Sequence, residues 1–364
     1  MTKNTHIETI DIISNTSVFD QHSFEGFTIF QLCYGLKGPD YKTLKEAHHE
    51  NLVTITEIPG GASVPELKLT NNSKYKILLL DGEELAGAKQ NRILNTSILI
   101  DKNCEIIIPV TCTEEGRWNH ETSSFYDSDE IVSAQIRAKK MKDVSFNLNF
   151  SNKYDSDQAA VWDEIKLMAE REDVNSNTKA MKDIYDRKKP DLDRFSSQFP
   201  LHNKQNGLLV YFKDKPIGLD LFSSSNSYSQ YHEKLLRSYR LFASVHQPTD
   251  INTLYKITPN DFFEKITNPP SNKANAAVYI IEPEVVSWIR DNKEVKDFST
   301  EVIPEFLGKI STWHNNSIHG DIGTLDSLEM AQKDLKLSLP WKEIDEWQAD
   351  FTKHQIHKMI GNCL

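Results

Sequence analysis

Chemistry-bearing side chains are concentrated in one stretch, Lys76 to Trp118. It holds the carboxylates of Asp81, Glu83, Glu84, Glu114 and Glu115, the cations Lys89, Arg92 and Arg117, the amides Gln90, Asn91 and Asn95, and the indole of Trp118. Asp81, Glu83, Glu84 and Glu114 are candidate catalytic groups, because grouped carboxylates supply oxygen ligands to a hard cation or an acid/base couple. Lys89, Arg92 and Arg117 suit an anionic group, and an arginine fork meets a phosphate through two hydrogen bonds. Gln90, Asn91 and Asn95 add neutral donors and acceptors, and Trp118 a flat face for a ring. Such a set fits a nucleotide or sugar-phosphate ligand. The alternative is a solvated, salt-bridged turn whose ion pairs contribute little. A phosphate loop is excluded. In Gly82-Glu83-Glu84-Leu85-Ala86-Gly87-Ala88-Lys89 the lysine comes one position late, no Ser or Thr follows, and two glutamates occupy the cradle.

The elements that must position these residues are short and apolar. Ile77-Leu78-Leu79-Leu80 runs into Asp81-Gly82, Ile93 to Ile100 is β-compatible, and Ile106-Ile107-Ile108-Pro109-Val110 follows after a polar break. Short apolar runs bounded by such turns predict buried strands, here joined by two polar connections. A rigid sheet positions the loops at its strand ends, where binding residues are commonly carried. The expectation is that the two connections meet in one pocket, with Arg92 and Arg117 on the same side of the molecule.

On the N-terminal side, Phe27 to Tyr34 reads as a strand, Tyr41 to Asn51 as a short helix burying Leu44 and Ala47, and Leu52 to Ile58 as a strand. On the other side, Ser128 to Lys142 reads as a helix, and Gln158 to Glu170 as a stronger one with Val161, Trp162, Ile165 and Met168 facing the core. Val174 to Pro190 shows no usable period. Gly207 to Phe222 predicts a hairpin across Lys213-Asp214-Lys215-Pro216, and Tyr228 to Val245 a long helix with an aromatic face. Beyond a boundary between residues 247 and 256 come a strand at Asn275 to Ile281, a helix at Pro283 to Arg290 and a strand at Lys309 to Trp313. Two further helices are expected, one capped by Thr324 and one over Trp341 to Met359. His48 and His49 are adjacent and diverge on a helix, and His354 and His357 lack a third ligand, so neither pair predicts a metal site.

The totals bound the class. With 364 residues, 38% hydrophobic and 26% charged, the chain can bury two proper cores. The organisation expected is a domain at 1–250 with mixed sheet and covering helices, a small αβ module at 253–337 and a helical tail at 338–364, in an α/β or α+β fold. No apolar run approaches the roughly 20 residues that span a bilayer, and Met1 to Ile13 lacks a secretory pattern, so a cytoplasmic protein without membrane contact is expected. The four cysteines, Cys33, Cys104, Cys112 and Cys363, contain no close pair and read as reduced thiols. A net charge of −11 without a basic block disfavours nucleic acid as a partner. Protein partners are not specified.

Two segments carry a likeness to a known family. Asp81 to Asn95 (D-G-E-E-L-A-G-A-K-Q-N-R-I-L-N) and Ile108 to Trp118 (I-P-V-T-C-T-E-E-G-R-W) resemble the signature of the ARG- and rhodanese/phosphatase-superfamily-associated protein domain. The likeness extends over about Phe27 to Ala243. It implies a role with a nucleotide, ADP-ribose or related phosphorylated ligand, and names no reaction. From Phe262 to Leu335 the chain is similar to the C-terminal portion of sugar-phosphate nucleotidyltransferases, through F-F-E-K, N-P-P-S-N, N-A-A-V-Y-I, D-F-S-T-E-V-I-P and G-D-I-G-T. That likeness implies sugar-phosphate contacts at Glu264, Lys265 and Asn275 and a Mg²⁺ ligand at Asp321. The family's E-K-P reads Glu264-Lys265-Ile266, and its G-x-G-T-R-type loop is absent. Half a site cannot hold the reacting phosphates, so a degenerate module is expected, with active nucleotidyl transfer or a non-catalytic scaffold as the alternatives.

Overall fold

A computed structural model describes residues 12–35, 38–58, 65–117, 119, 122–245, 258–267, 283–292 and 298–306. Two compact units make up the chain, Met1–Pro270 and Ser271–Leu364. In the first, β1 (Thr16–Phe24) and β2 (Phe27–Tyr34) form an antiparallel hairpin. β3 (Tyr41–Thr43) then leads into α1 (Leu44–His49), which buries Leu44 and Ala47 as the spacing predicts. The helix starts three residues later than expected, because Thr43 and Glu46 form a capping box that fixes its N-terminus.

Eight strands follow in close succession: β4 (Val53–Glu57), β5 (Glu66–Asn71), β6 (Lys76–Leu79), β7 (Glu83–Gly87), β8 (Arg92–Leu94), β9 (Ile98–Ile100), β10 (Cys104–Cys112) and β11 (Phe125–Ile131). Six of them close a barrel in the order β10-β5-β4-β11-β7-β8, every pair antiparallel. Its interior is packed with Ile55, Leu67, Leu69, Leu85, Leu94, Ile108, Val110 and Phe125, as alternation along each strand requires. β3, β6 and β9 make a separate three-stranded sheet, parallel at one junction and antiparallel at the other. Two expectations are corrected here. Ile93 to Ile100 is not one strand but two, in different sheets, broken at 95–97. Ser128 to Lys142 is not one helix, since β11 runs to Ile131 and α2 (Ala134–Ser151) begins after Ser133.

α3 (Gln158–Arg171) is capped by Asp157 and buries Val161, Ile165 and Met168. Trp162 on it is only partly buried, and its indole N–H has no partner among the described residues. The segment without a readable period is largely α4 (Met181–Ser196), which contains Pro190 and still buries Ile184, Tyr185, Leu192 and Phe195. β12 (Gly207–Phe212) and β13 (Lys215–Leu221) form the predicted hairpin across Lys213 and Asp214, both at positive φ (49° and 63°), the backbone of a two-residue primed turn. β12 also pairs with β2, completing a four-stranded sheet. α5 (Ser225–Val245) lies against this sheet and the barrel, with Tyr228, Tyr231, Leu235, Leu236 and Tyr239 buried. α6 (Pro259–Thr267) packs Phe262 and Phe263 on the other face of the sheet.

In the second unit α7 (Pro283–Asp291) starts at a proline as expected, and Trp288 meets Phe306 edge to face. The strands at Asn275 to Ile281 and Lys309 to Trp313, the helices capped by Thr324 and over Trp341 to Met359, His354 and His357, and Cys363 lie outside the described residues. The architecture is α+β. Among the described residues no helix is long and apolar enough to cross a membrane, and Cys33, Cys104 and Cys112 are free thiols.

Candidate functional site

One end of the barrel gathers the two charged connections. Inward-facing positions continue the core pattern to the rim. Ile55 is followed by Glu57 on β4, Leu94 is preceded by Arg92 on β8, and Ile108 and Val110 are followed by Cys112 on β10. Arg92 is the direct cross-strand partner of both Leu85 and Cys112. The mouth therefore carries a guanidinium, a thiol and a carboxylate above an apolar floor.

The connection from Ala88 to Asn91 and the one from Thr113 to Arg117 fold over this mouth and lock together. Arg117 donates Nη2 to Asn91 Oδ1 (3.0 Å) and Nη1 to the Ala88 carbonyl (2.6 Å), while Nη2 pairs with Glu114 (2.7 Å). Glu114 Oε2 accepts the Asn91 N–H (3.2 Å), and its carbonyl accepts Gln90 Nε2 (2.8 Å). Asn91 Oδ1 also takes the Gly87 N–H (3.1 Å). Gly87 sits at φ +113°, where a Cβ would stand 2.4 Å from Thr122 Oγ1, so the strand end depends on glycine.

Arg92 stands apart from this closed set. It is 3% exposed. Its Nη1 donates to Gln90 Oε1 (3.2 Å) and the Asn91 carbonyl (3.3 Å), while Nε is buried without a partner among the described residues. Among the described residues it forms no ion pair, and burial pulls its pKa down, against the fields of Cys112, Glu57 and Glu114. Cys112 donates its thiol to Gln90 Oε1 (3.5 Å), and burial pushes that thiol up while Arg92 opposes the shift. Glu57 takes the Lys89 N–H and lies 3.8 Å from the Lys89 ammonium, so Lys89 sits on the half-exposed rim.

The remaining candidates are elsewhere. Asp81 is paired with the buried Lys140 on α2, and burial raises its carboxyl. Glu83 lies two residues from Leu85 toward the opposite barrel end, buried against Lys234 (3.4 Å) and Tyr231 of α5. Burial raises it to about 7, although Lys234 favours its charged form. Glu84 faces outward beside Ile93, under the helices, where Thr113 Oγ1 donates to it (2.8 Å) and burial raises it to about 7. Asn95 binds Thr111 Oγ1 and the Tyr154 carbonyl, holding the chain ahead of α3. These four carboxylates and amides do not converge with Arg92. Trp118 lies outside the described residues.

Of the second set, Glu264 is exposed on α6, the Lys265 side chain is outside the described residues, and so are Asn275 and Asp321. Among the described residues no three His, Cys, Asp or Glu side chains converge to hold a metal ion. Two site features escaped the sequence reading. Cys112 and Glu57 join Arg92 only through barrel closure, and the signal for them was their parity with the apolar positions on their own strands. Gln158, on α3, grips the Cys112 backbone from both sides, accepting its N–H (2.7 Å) and donating to its carbonyl (2.9 Å).

No curated protein and no solved structure matches the chain. The model of the ARG and Rhodanese-Phosphatase-superfamily-associated Protein domain matches residues 15–300, which takes in the first part of the segment at 262–335, and none of the comparisons supports the nucleotidyltransferase resemblance expected there. With most of its length covered and both polar connections inside the match, the chain belongs to the ARG and Rhodanese-Phosphatase-superfamily-associated Protein domain family.

Proposed function

We propose that the barrel mouth binds a small phosphorylated ligand of the nucleotide or ADP-ribose type, with Arg92 as its anchoring charge. The observation that supports this most is the buried Arg92 guanidinium, which has a free Nε and no carboxylate at ion-pair distance among the described residues. A buried charge without a counter-charge is costly, by several kcal/mol in an unrelaxed site. A bound phosphate would supply the missing charge and accept the free donor. Arg117, by contrast, is engaged by Glu114 and by the carbonyls of the opposite loop, and serves to shape the mouth. Among the described residues, Glu57, Cys112 and Glu114 are the titratable groups at the mouth that a reaction could use, since Asp81, Glu83 and Glu84 are paired or buried elsewhere. No described residue favours nucleotidyl transfer or a scaffold role.

Isothermal titration of the full chain with ADP-ribose, adenosine 5′-monophosphate and inorganic phosphate tests the reading. Arg92→Lys keeps the charge and loses the fork, and is expected to weaken binding at least about tenfold, since hydrogen bonds to charged groups contribute roughly 1.5–3 kcal/mol. Binding that is absent in the wild type, or indifferent to Arg92→Lys and Arg92→Ala, refutes it.

A further inference from the structure

We propose that Asp81 and Lys140 condense to an intramolecular isopeptide bond, which fastens the connection between β6 and β7 covalently to α2. Lys140 Nζ donates to Asp81 Oδ1 and to the Asn95 carbonyl (2.8 Å). The Lys140 side chain is wholly shielded from solvent, and that of Asp81 is 10% exposed. Among the described residues Lys140 meets no other carboxylate at ion-pair distance. An amine and a carboxyl group are thus held in contact, away from water, by elements 59 residues apart in the chain.

Two features separate this pair from a well-solvated ion pair. Asp81 Oδ2 is buried and has no hydrogen-bond partner among the described residues, and a buried carboxylate ion needs both oxygens satisfied. Burial raises the Asp81 carboxyl and lowers the Lys140 ammonium, each against the attraction of the other. Both groups are moved towards the neutral acid and free amine that condensation requires. Lys234 shows the contrast. It meets both Asp127 oxygens (2.9 and 2.8 Å) and Glu83 (3.4 Å). Burial opposes its charge, yet Glu83 and Asp127 outweigh that and hold its ammonium above the usual lysine range. An amine kept charged is no nucleophile, so Lys234 stays an ion pair.

The step balances without a co-reactant. A proton passes from the ammonium to the carboxylate, leaving an amine and a carboxylic acid. Nζ attacks Cγ, the N–C bond forms, and the acid hydroxyl departs with one amine proton as water. The single N–H left on the amide is the donor that the Asn95 carbonyl already accepts. Arg137 lies over the same turn, its Cδ 3.3 Å from a Cβ built at Gly82. Its positive charge acts on Asp81, where a tetrahedral intermediate carries its oxyanion. Reacting groups fixed in contact reach effective concentrations of roughly 10⁵–10⁸ M, and a site closed to water opposes the reverse hydrolysis.

Intact-mass spectrometry of the purified full-length chain, followed by peptide mapping, tests the bond. The expected mass is below that of the sequence by one water. Trypsin should release peptide 77–89 joined to peptide 140–142, because an acylated Lys140 is no longer cut. Tandem spectra of that branched product should place the link at Asp81 and Lys140. Lys140→Arg should restore the full sequence mass, a result that does not depend on how well the variant folds. Asp81-Gly82 can also lose water within its own backbone, as a succinimide, and the map separates the two. A dehydrated but linear peptide 77–89, or a loss of water that persists in Lys140→Arg, overturns the proposal. So does a wild-type chain at its full sequence mass.

Discussion

Arg117 donates to the side chain of Asn91 across 3.0 Å, joining two loops that are 26 residues apart in the chain. Asn91 answers with its own N–H to Glu114, the ion-pair partner of Arg117. This three-residue ring makes the two charged connections one structure. It also separates two arginines of the same stretch by role. Arg117 is consumed in holding the mouth closed at its side, whereas Arg92 points into the mouth with its charge unmatched among the described residues.

Removing the Arg92 charge should therefore stabilise the free protein. A buried ionic group replaced by an apolar one of similar volume is often stabilising, by roughly 1–4 kcal/mol. Arg92→Met is expected to gain about 1–2 kcal/mol on that scale in urea unfolding without ligand, and to lose ligand binding. Destabilisation by a comparable amount would show that the guanidinium is instead a structural bracket for Gln90 and the Asn91 carbonyl.

Breaking the ring should do the opposite. Arg117→Ala leaves the buried Glu114 carboxylate without its cation, at an expected cost of ~3 kcal/mol. A double-mutant cycle with Glu114→Gln should return a coupling of about 1–3 kcal/mol, read from chemical denaturation. A coupling near zero would mean that the carbonyl contacts of Arg117, not the ion pair, carry the loop.

Stability should depend on pH through buried acids. Glu84 is raised from 4.5 to about 7 by burial, against the hydrogen bond from Thr113. Glu83 and Glu130 are raised to about 7 as well, burial being the first cause in each. At these three positions the folded chain keeps protons that the unfolded chain has released, so their contribution to stability is full below pH 4.5 and declines as pH rises to about 7. For Glu84 alone the loss approaches ~3 kcal/mol. Glu84→Gln should match the wild type at pH 4 and exceed it by about that amount at pH 8. An unaltered pH slope in urea titrations of Glu84→Gln would contradict the assignment.

The rim at Gly87 should tolerate no side chain. Its φ of +113° and the 2.4 Å approach of Thr122 Oγ1 to a built Cβ both oppose substitution. Gly87→Ala is expected to cost ~2 kcal/mol from backbone strain. It should also displace the Thr122 hydroxyl that accepts the Ala88 N–H (2.9 Å), with weaker ligand binding as a consequence. A stability change within about 0.5 kcal/mol would show that the strand end can relax.

What the sequence determined is what lies close along it. The apolar runs at Ile77 and Ile106 set strands, the Gln158 and Tyr228 stretches set helices through 3.6-residue spacing, and the turn at Lys213-Asp214 set a hairpin. Each depends on neighbours a few residues apart. The barrel does not. Its closure rests on pairings such as Arg92 with Cys112, and Phe125 with both Ile55 and Gly87, which no local pattern encodes. The end of β11, Ser128 to Ile131, reads as helix from the sequence for the same reason. Its Asp127, Asp129 and Glu130 look solvated in one dimension, and only the folded chain brings Lys234 and Arg237 of α5 against them. The family signature located the charged residues. Tertiary structure alone decided which were spent on each other and which was left open, because burial and pairing belong to neighbours in space rather than along the chain.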